Sequence, residues 1–304
     1  MAGFGIEDAA FAGVGLLGRK PLAAVVWALV YAIFLAVVIV PFAGALVAFL
    51  TAVAVSGGHP SAEALTPQIG GLLGLFVLLA LGSLVVGAVI SCAVFRAILE
   101  PEKSSFAYMR LGSEELWVML VGFVRSLLTG VLQIVLAIPL GIVVGLLTAT
   151  LPGGAALVRT IGQLAIYLVV IWVTLRLSLA GPITFAERQF RLFESWSLTR
   201  GYGWSLFAVA LIVGVIGVVV YLLALVVGLV GGFAIWGGIP HPSNMQAFLS
   251  QPASYWMRGL APLLTLIGVL VWLVAAILTP IVIAPWARIY RSLTPGADLA
   301  STFE

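Results

Sequence analysis

Phe193-Glu194-Ser195-Trp196-Ser197-Leu198-Thr199-Arg200-Gly201-Tyr202-Gly203-Trp204-Ser205-Leu206-Phe207 is the stretch that decides the fold. It carries a basic residue, a helix-breaking Gly-Tyr-Gly and large aromatic side chains, and it runs directly into a long apolar segment. Trp and Tyr favour a membrane–water interface because their rings are apolar while the N–H or O–H stays hydrated. The stretch reads as an amphipathic segment on a membrane face that turns to enter the bilayer, with Trp196, Arg200 and Trp204 as interfacial anchors.

Composition extends that reading to the whole chain. The 304 residues are 63% hydrophobic and 8% charged, whereas soluble domains carry about 25% charged residues. A soluble domain also lacks the interior to bury so much apolar surface. The net charge is +3, and the pI near 9.2 reflects scarce charges rather than a basic face. Nucleic-acid binding needs a clustered basic patch, which is missing, so nucleic acid is excluded as a partner. The one cysteine, Cys92, lies inside an apolar run; no disulfide or thiolate metal site can form within one chain, and a packing role follows.

Upstream, Glu7 and Asp8 precede the first apolar run where a cleaved signal would be positive, so no such signal is expected. Phe4, Ile6, Phe11, Val14 and Leu17 suggest a short interfacial helix before Arg19-Lys20-Pro21, weakened by five glycines between Gly3 and Gly18. Apolar segments longer than the ~20 residues a bilayer requires then recur. They are expected at 21–55, with Pro41 bending rather than ending the helix, and at 70–95, stopped by Arg96 and Glu100-Pro101. A polar connector covers 103–115, followed by spans at 116–147 and 160–179 around a tight Leu151-Pro152-Gly153-Gly154 loop. The fifth span covers 204–233 and the sixth 259–280, separated by the long loop 237–256.

Six spans place Arg19, Lys20, Arg96, Lys103, Arg110, Arg176, Arg188, Arg191, Arg200, Arg288 and Arg291 on one side. Only Arg159 and Arg258 fall on the other, and Arg125 is embedded. Basic residues mark the cytoplasmic side, so both termini are expected there. An odd number of spans would divide these charges evenly.

A repeat underlies the layout. Aligning Phe106 with Phe193 brings Leu111 onto Leu198, Trp117 onto Trp204, Gly141 onto Gly228 and Gly145 onto Gly232 without a gap. Aligning Phe11 with Phe193 brings His59-Pro60-Ser61 onto His241-Pro242-Ser243. Three parallel helix-hairpin units follow, about 1–103, 104–187 and 188–304, within a single integral membrane domain. Trp117 joins the interfacial anchors by this correspondence. The pairs Gly141/Gly145, Gly228/Gly232 and Gly70/Gly74 have the spacing that lets helices approach closely in lipid. Packing within one chain is favoured over dimerisation.

Candidate chemistry is sparse. His59 and His241 sit in outer loops, with Glu63 as the one acid on that side, and triads, zinc motifs and phosphate-binding glycine loops lack their residues. No catalytic residue, metal ligand or cofactor site is expected, and the chain is read as non-enzymatic. Arg125, Thr129 and Gln133 share one face of the third span; Gln163, Tyr167, Thr174 and Ser178 form a stripe on the fourth. Arg125, Gln133, Gln163 and Arg176 are therefore the candidate polar or anion-contacting residues. An arginine in mid-bilayer costs about 2.5–3.5 kcal/mol on insertion scales, so Arg125 either works on an anion or snorkels to the cytoplasmic interface. Its expected partners are a phospholipid phosphate or Thr174 and Ser178.

Trp196-Ser197-Leu198-Thr199-Arg200-Gly201 followed by Trp204 and Phe207 resembles the signature of a bacterial family of six-span inner-membrane proteins. This is the membrane domain fused to some glycerophosphodiester phosphodiesterases, with its uncharacterised stand-alone relatives. Arg176-Leu177-Ser178-Leu179-Ala180-Gly181-Pro182 and Pro280 through Tyr290-Arg291-Ser292-Leu293 are similar to the flanking patterns, so the resemblance covers mainly the C-terminal two-thirds. The soluble barrel that carries phosphodiesterase activity is missing, and that activity is not carried over. The expectation is an all-α, multi-pass bacterial inner-membrane protein whose partner is the lipid bilayer, a phospholipid headgroup included as a candidate contact. It would serve as an accessory or scaffold protein in lipid or envelope homeostasis; the alternative is a passive carrier or channel for a small or lipid-like anion.

Overall fold

A computed structural model describes residues 4–55, 62–102, 106–237 and 253–294. The described chain is all-α. Two short helices, α1 (Ile6–Ala10) and α2 (Ala12–Arg19), precede α3 (Pro21–Val55) and α4 (Ala62–Leu99). A 3-10 turn at Phe106–Tyr108 leads to α5 (Ser113–Thr150), α6 (Pro152–Arg176), the short α7 (Ala180–Glu187) and α8 (Glu194–Leu198), then α9 (Gly203–Gly237) and α10 (Ala253–Leu293). Six of these helices are long and apolar enough to cross a membrane: α3, α4, α5, α6, α9 and α10.

The apolar runs become helices because a bilayer leaves no solvent to satisfy backbone N–H and C=O groups, and a helix satisfies them internally. The same demand carries the chain through Pro41, Pro67 and Pro139 without ending a helix. The expected 151–154 loop contracts to one residue. Leu151 closes α5 with its N–H on the Leu147 carbonyl, and its own carbonyl accepts from Ala155. Pro152 starts α6, where its missing N–H costs nothing. The fourth span therefore begins eight residues earlier than expected and ends at Arg176.

By packing, the described residues fall into two compact units. One draws on Met1–Gly13, Gly87–Leu211 and Ile283–Glu304; the other on Val14–Val86 and Ile212–Val282. In the first, α5 packs on α6 and on α7. One core cluster joins Ala88, Cys92 and Phe95 of α4 to Val118, Phe185 and Ala287. Cys92 is thus a buried packing residue, as its apolar surroundings in the sequence imply. A second cluster joins Val121 to Leu177, Ala180 and Leu192, with Val124 and Val173 packed against it. Asp8 of α1 pairs with Arg288 of α10 at 2.8 Å, and Arg291 donates to the Ile98 carbonyl at 3.2 Å.

In the second unit, α9 lies on α10 through glycines. Gly228 faces Leu270, Gly231 faces Leu266 and Gly232 faces Leu263. Elsewhere in that unit Gly82 of α4 meets the Phe34 ring of α3. Gly141, Gly145, Gly70 and Gly74 have nothing within 4 Å of a Cβ placed there, so the expected close packing is seen for one of the three glycine pairs.

Candidate functional site

Two polar constellations stand out in the first unit, and they differ in what they leave free. The first surrounds Arg96, in the last turn of α4 and 1% exposed. A guanidinium removed from water must be compensated by charge and by hydrogen bonds. Nη1 donates to the Tyr108 carbonyl at 2.8 Å, and Nη2 donates to Glu114 Oε2 at 2.7 Å and to Glu115 Oε1. The second Glu114 oxygen pairs with Arg188 Nε at 3.0 Å, and the second Glu115 oxygen accepts from the Gly112 N–H at 2.8 Å. The Phe185 ring lies 5.4 Å from the Arg96 guanidinium carbon.

Two arginines thus meet two glutamates, and the formal charge closes to zero. Ala107 (φ 49°), Tyr108 (φ 60°) and Arg188 (φ 54°) all adopt left-handed backbone here. That conformation costs a residue with a Cβ roughly 1–2 kcal/mol. It persists because it aims the Tyr108 carbonyl and the Arg188 side chain at this cluster. The arrangement fastens α4, the 3-10 turn, α5 and the end of α7 together, and its hydrogen-bonding groups are occupied.

The second constellation surrounds Arg176, the last residue of α6. Its Nη1 donates to the Thr199 carbonyl at 2.6 Å. The guanidinium carbon lies 5.2 Å from the Trp172 ring centroid and 5.9 Å from that of Trp196. The two indoles meet edge to face at 5.2 Å. Cation–π contacts of this kind are worth about 0.5–2 kcal/mol each. The backbone around them is tied down: Ser195 Oγ donates to the Arg176 carbonyl at 2.7 Å and accepts from the Leu179 N–H at 3.2 Å. Gly201, at φ +89°, supplies the left-handed turn that ends α8 and aims the chain into α9.

Arg176 is not charge-compensated in this way. Its Nε is buried without a hydrogen-bond partner, and no carboxylate pairs with it among the described residues. Glu194, nearby in sequence, is held by Arg191 at 2.9 Å. That hydrogen bond keeps the Glu194 carboxyl below the usual range and raises Arg191 in turn. A cavity of about 510 Å³ opens beside Arg176 and is lined by Leu168, Trp172 and Arg176 on one side and Gly203, Trp204 and Phe207 on the other.

Of the four candidate polar residues, Arg176 alone borders this cavity; Arg125, Gln133 and Gln163 do not. Gln133 is exposed and Gln163 half-buried. Arg125 is half-buried, and its guanidinium has no hydrogen-bond or ion-pair partner among the described residues. The hydroxyls expected to meet it are engaged on their own helix instead. Thr174 donates to the Val170 carbonyl and Ser178 to that of Leu175, at 2.8 and 2.7 Å. The neighbouring Val124 and, on α6, Val173 both pack against the cluster that contains Val121 and Leu177.

Among the anchors, Trp117, Trp196, Arg200 and Trp204 are all exposed, Trp204 most of all at 86%. Trp172 was missed, although its spacing of four from Arg176 puts both on one helix face. The Arg96 cluster was missed as well; its signal was Glu114-Glu115, adjacent acids at a span entrance, after a span that ends in a lone arginine. Among the described residues no group of histidine, cysteine and acidic side chains could hold a metal. His59 and His241 lie outside the described residues. Comparison with protein-family models, curated proteins and solved structures gave no match.

Proposed function

We propose that this chain is a non-enzymatic accessory or scaffold protein of a bacterial inner membrane, serving lipid or envelope homeostasis and related to the membrane domain its sequence resembles. The observation that carries the reading is the dispersal of its polar residues. A carrier requires polar groups converging on one path, whereas Arg125, Gln133 and Gln163 lie apart from the cavity beside Arg176. The most deeply buried charges, around Arg96, are neutralised and hydrogen-bonded, which suits a fastening rather than a relay.

Both termini are assigned to the cytoplasm by the bias of basic residues together with the even number of spans. Three parallel hairpin units remain part of the proposal. In their support, Phe11 separates α1 from α2, Phe106 opens the 3-10 turn and Phe193 caps α8, so each expected unit starts at a short helical element before a span.

One observation favours the alternative, a passive anion carrier: the unpaired Arg125 guanidinium. Reconstitution separates the two readings. Vesicles containing the protein should pass sulfate, phosphate and fluorescent phospholipid no faster than protein-free vesicles, and Arg125→Leu should change neither flux nor insertion. Flux tenfold above the protein-free rate, lost in Arg125→Leu, would establish the carrier instead.

A further inference from the structure

We infer that the cavity beside Arg176 is a binding site for one anionic glycerophospholipid, with its phosphodiester on the guanidinium and an acyl chain along α6. This rests on the membrane reading above and gives it a ligand.

The depth is appropriate. Arg159 and Arg176 are the two cations of α6, and at 1.5 Å per residue they stand about 26 Å apart. A hydrocarbon core of ~30 Å therefore leaves both guanidinium groups at headgroup level on opposite faces, the long side chains supplying the remainder. Arg176 thus sits where lipid phosphates are.

The chemistry is also appropriate. Nη1 donates to Thr199 and Nε is buried, which leaves Nη2, beside Gly203 of the cavity wall, as the donor facing the cavity. Guanidinium donors match phosphate oxygens in geometry and charge. Arg200, next in sequence to Gly201 of the cavity wall, is exposed and its side chain has no partner among the described residues. No carboxylate among the described residues competes for Arg176.

The walls choose between a lipid and a free anion. Leu168, Ile171, Trp172 and Leu175 run down α6 from the cation, and Trp204, Leu206 and Phe207 face them from α9. From Arg176 to Leu168 is about 12 Å along the helix axis, the depth of the upper part of an acyl chain. Leu168 and Trp172 are exposed, so the slot is open sideways to the bilayer. A free phosphate would gain nothing from such walls.

The test is titration of the detergent-purified full chain with phosphatidylglycerol, read by native mass spectrometry. The variants are Arg176→Gln, Arg159→Gln and Gly203→Leu. Gly203→Leu fills the slot, since a Cβ there lies 3.7 Å from Arg176 Nη2, and it leaves the hydrogen bond to Thr199 in place. Wild type and Arg159→Gln should each retain one lipid, with affinity falling at least tenfold in Arg176→Gln and Gly203→Leu. Diacylglycerol, which lacks the phosphate, should not be retained, and glycerol 3-phosphate should not displace the bound lipid. Failure of wild type to retain the lipid, or unchanged affinity in Gly203→Leu, overturns the site. So does displacement by equimolar glycerol 3-phosphate, which reassigns it to a soluble anion. A chain that stays in membranes through alkaline carbonate but shows no such selectivity loses the lipid site alone; one extracted by carbonate loses the membrane reading too.

Discussion

Arg96 and Arg176 are both arginines at the last turn of a membrane-length helix, and charge and position in the helix do not separate their roles. What separates them is the company that tertiary folding brings. Arg96 receives Glu114, Glu115 and a strained Tyr108 carbonyl; Arg176 receives two indoles and a carbonyl. Breaking a buried ion pair by removing one partner costs about 3–5 kcal/mol, because the other charge remains buried and unpaired. Arg96→Leu and Glu115→Gln should each lower stability by about that much in detergent, measured by thermal unfolding. Replacing Arg96, Glu114 and Glu115 together by apolar residues of similar volume should recover most of the loss. A triple variant less stable than Arg96→Leu would refute the desolvation account. Arg125, singled out by its place in an apolar run, lacks such company among the described residues; of the partners expected for it, the Thr174 and Ser178 hydroxyls donate within their own helix, and a phospholipid phosphate is the other.

At the scale of elements the sequence was read with more success. Each long helix was foreseen, since an apolar run in a bilayer has few alternatives to a helix. Helix ends were harder, as at Leu151, where a proline that looked like part of a loop opened α6 instead. Glycines show the same limit. Spacing proposed three equivalent pairs, but spacing does not say which face meets a neighbour. A Cβ at Gly231 would lie 2.8 Å from Leu266 Cδ2, while one at Gly141 meets nothing within 4 Å. Gly231→Val should therefore destabilise by about 1–3 kcal/mol through overpacking, whereas Gly141→Val should leave thermal unfolding nearly unchanged. Equal losses at the two positions would show that packing of α9 on α10 does not distinguish them. Adding Leu266→Ala to Gly231→Val should restore part of the lost stability.

For the whole molecule, the abundance of apolar residues with sparse, clustered arginines was enough to expect six spans, and the described residues hold six helices long and apolar enough to cross a membrane. The sidedness proposed from those arginines has a direct check. A reporter fused after Glu304 should be active in the cytoplasm alone, and one inserted at Gly58 or Asn244 should report the opposite side. A cytoplasmic signal at Asn244 would end the proposed topology. The ion pair between Asp8 and Arg288, 280 residues apart in sequence, bears on how such a chain is made. At the ~5–20 residues per second of ribosomal synthesis, Asp8 waits about 14–56 s after it emerges before Arg288 exists. Through that interval Asp8 lacks its counter-charge on α10, at a cost of at most about 1 kcal/mol because the pair is solvent-exposed. Asp8 therefore meets Arg288 only after α10 has been made, so this contact between the two ends of the described fold forms late in its assembly.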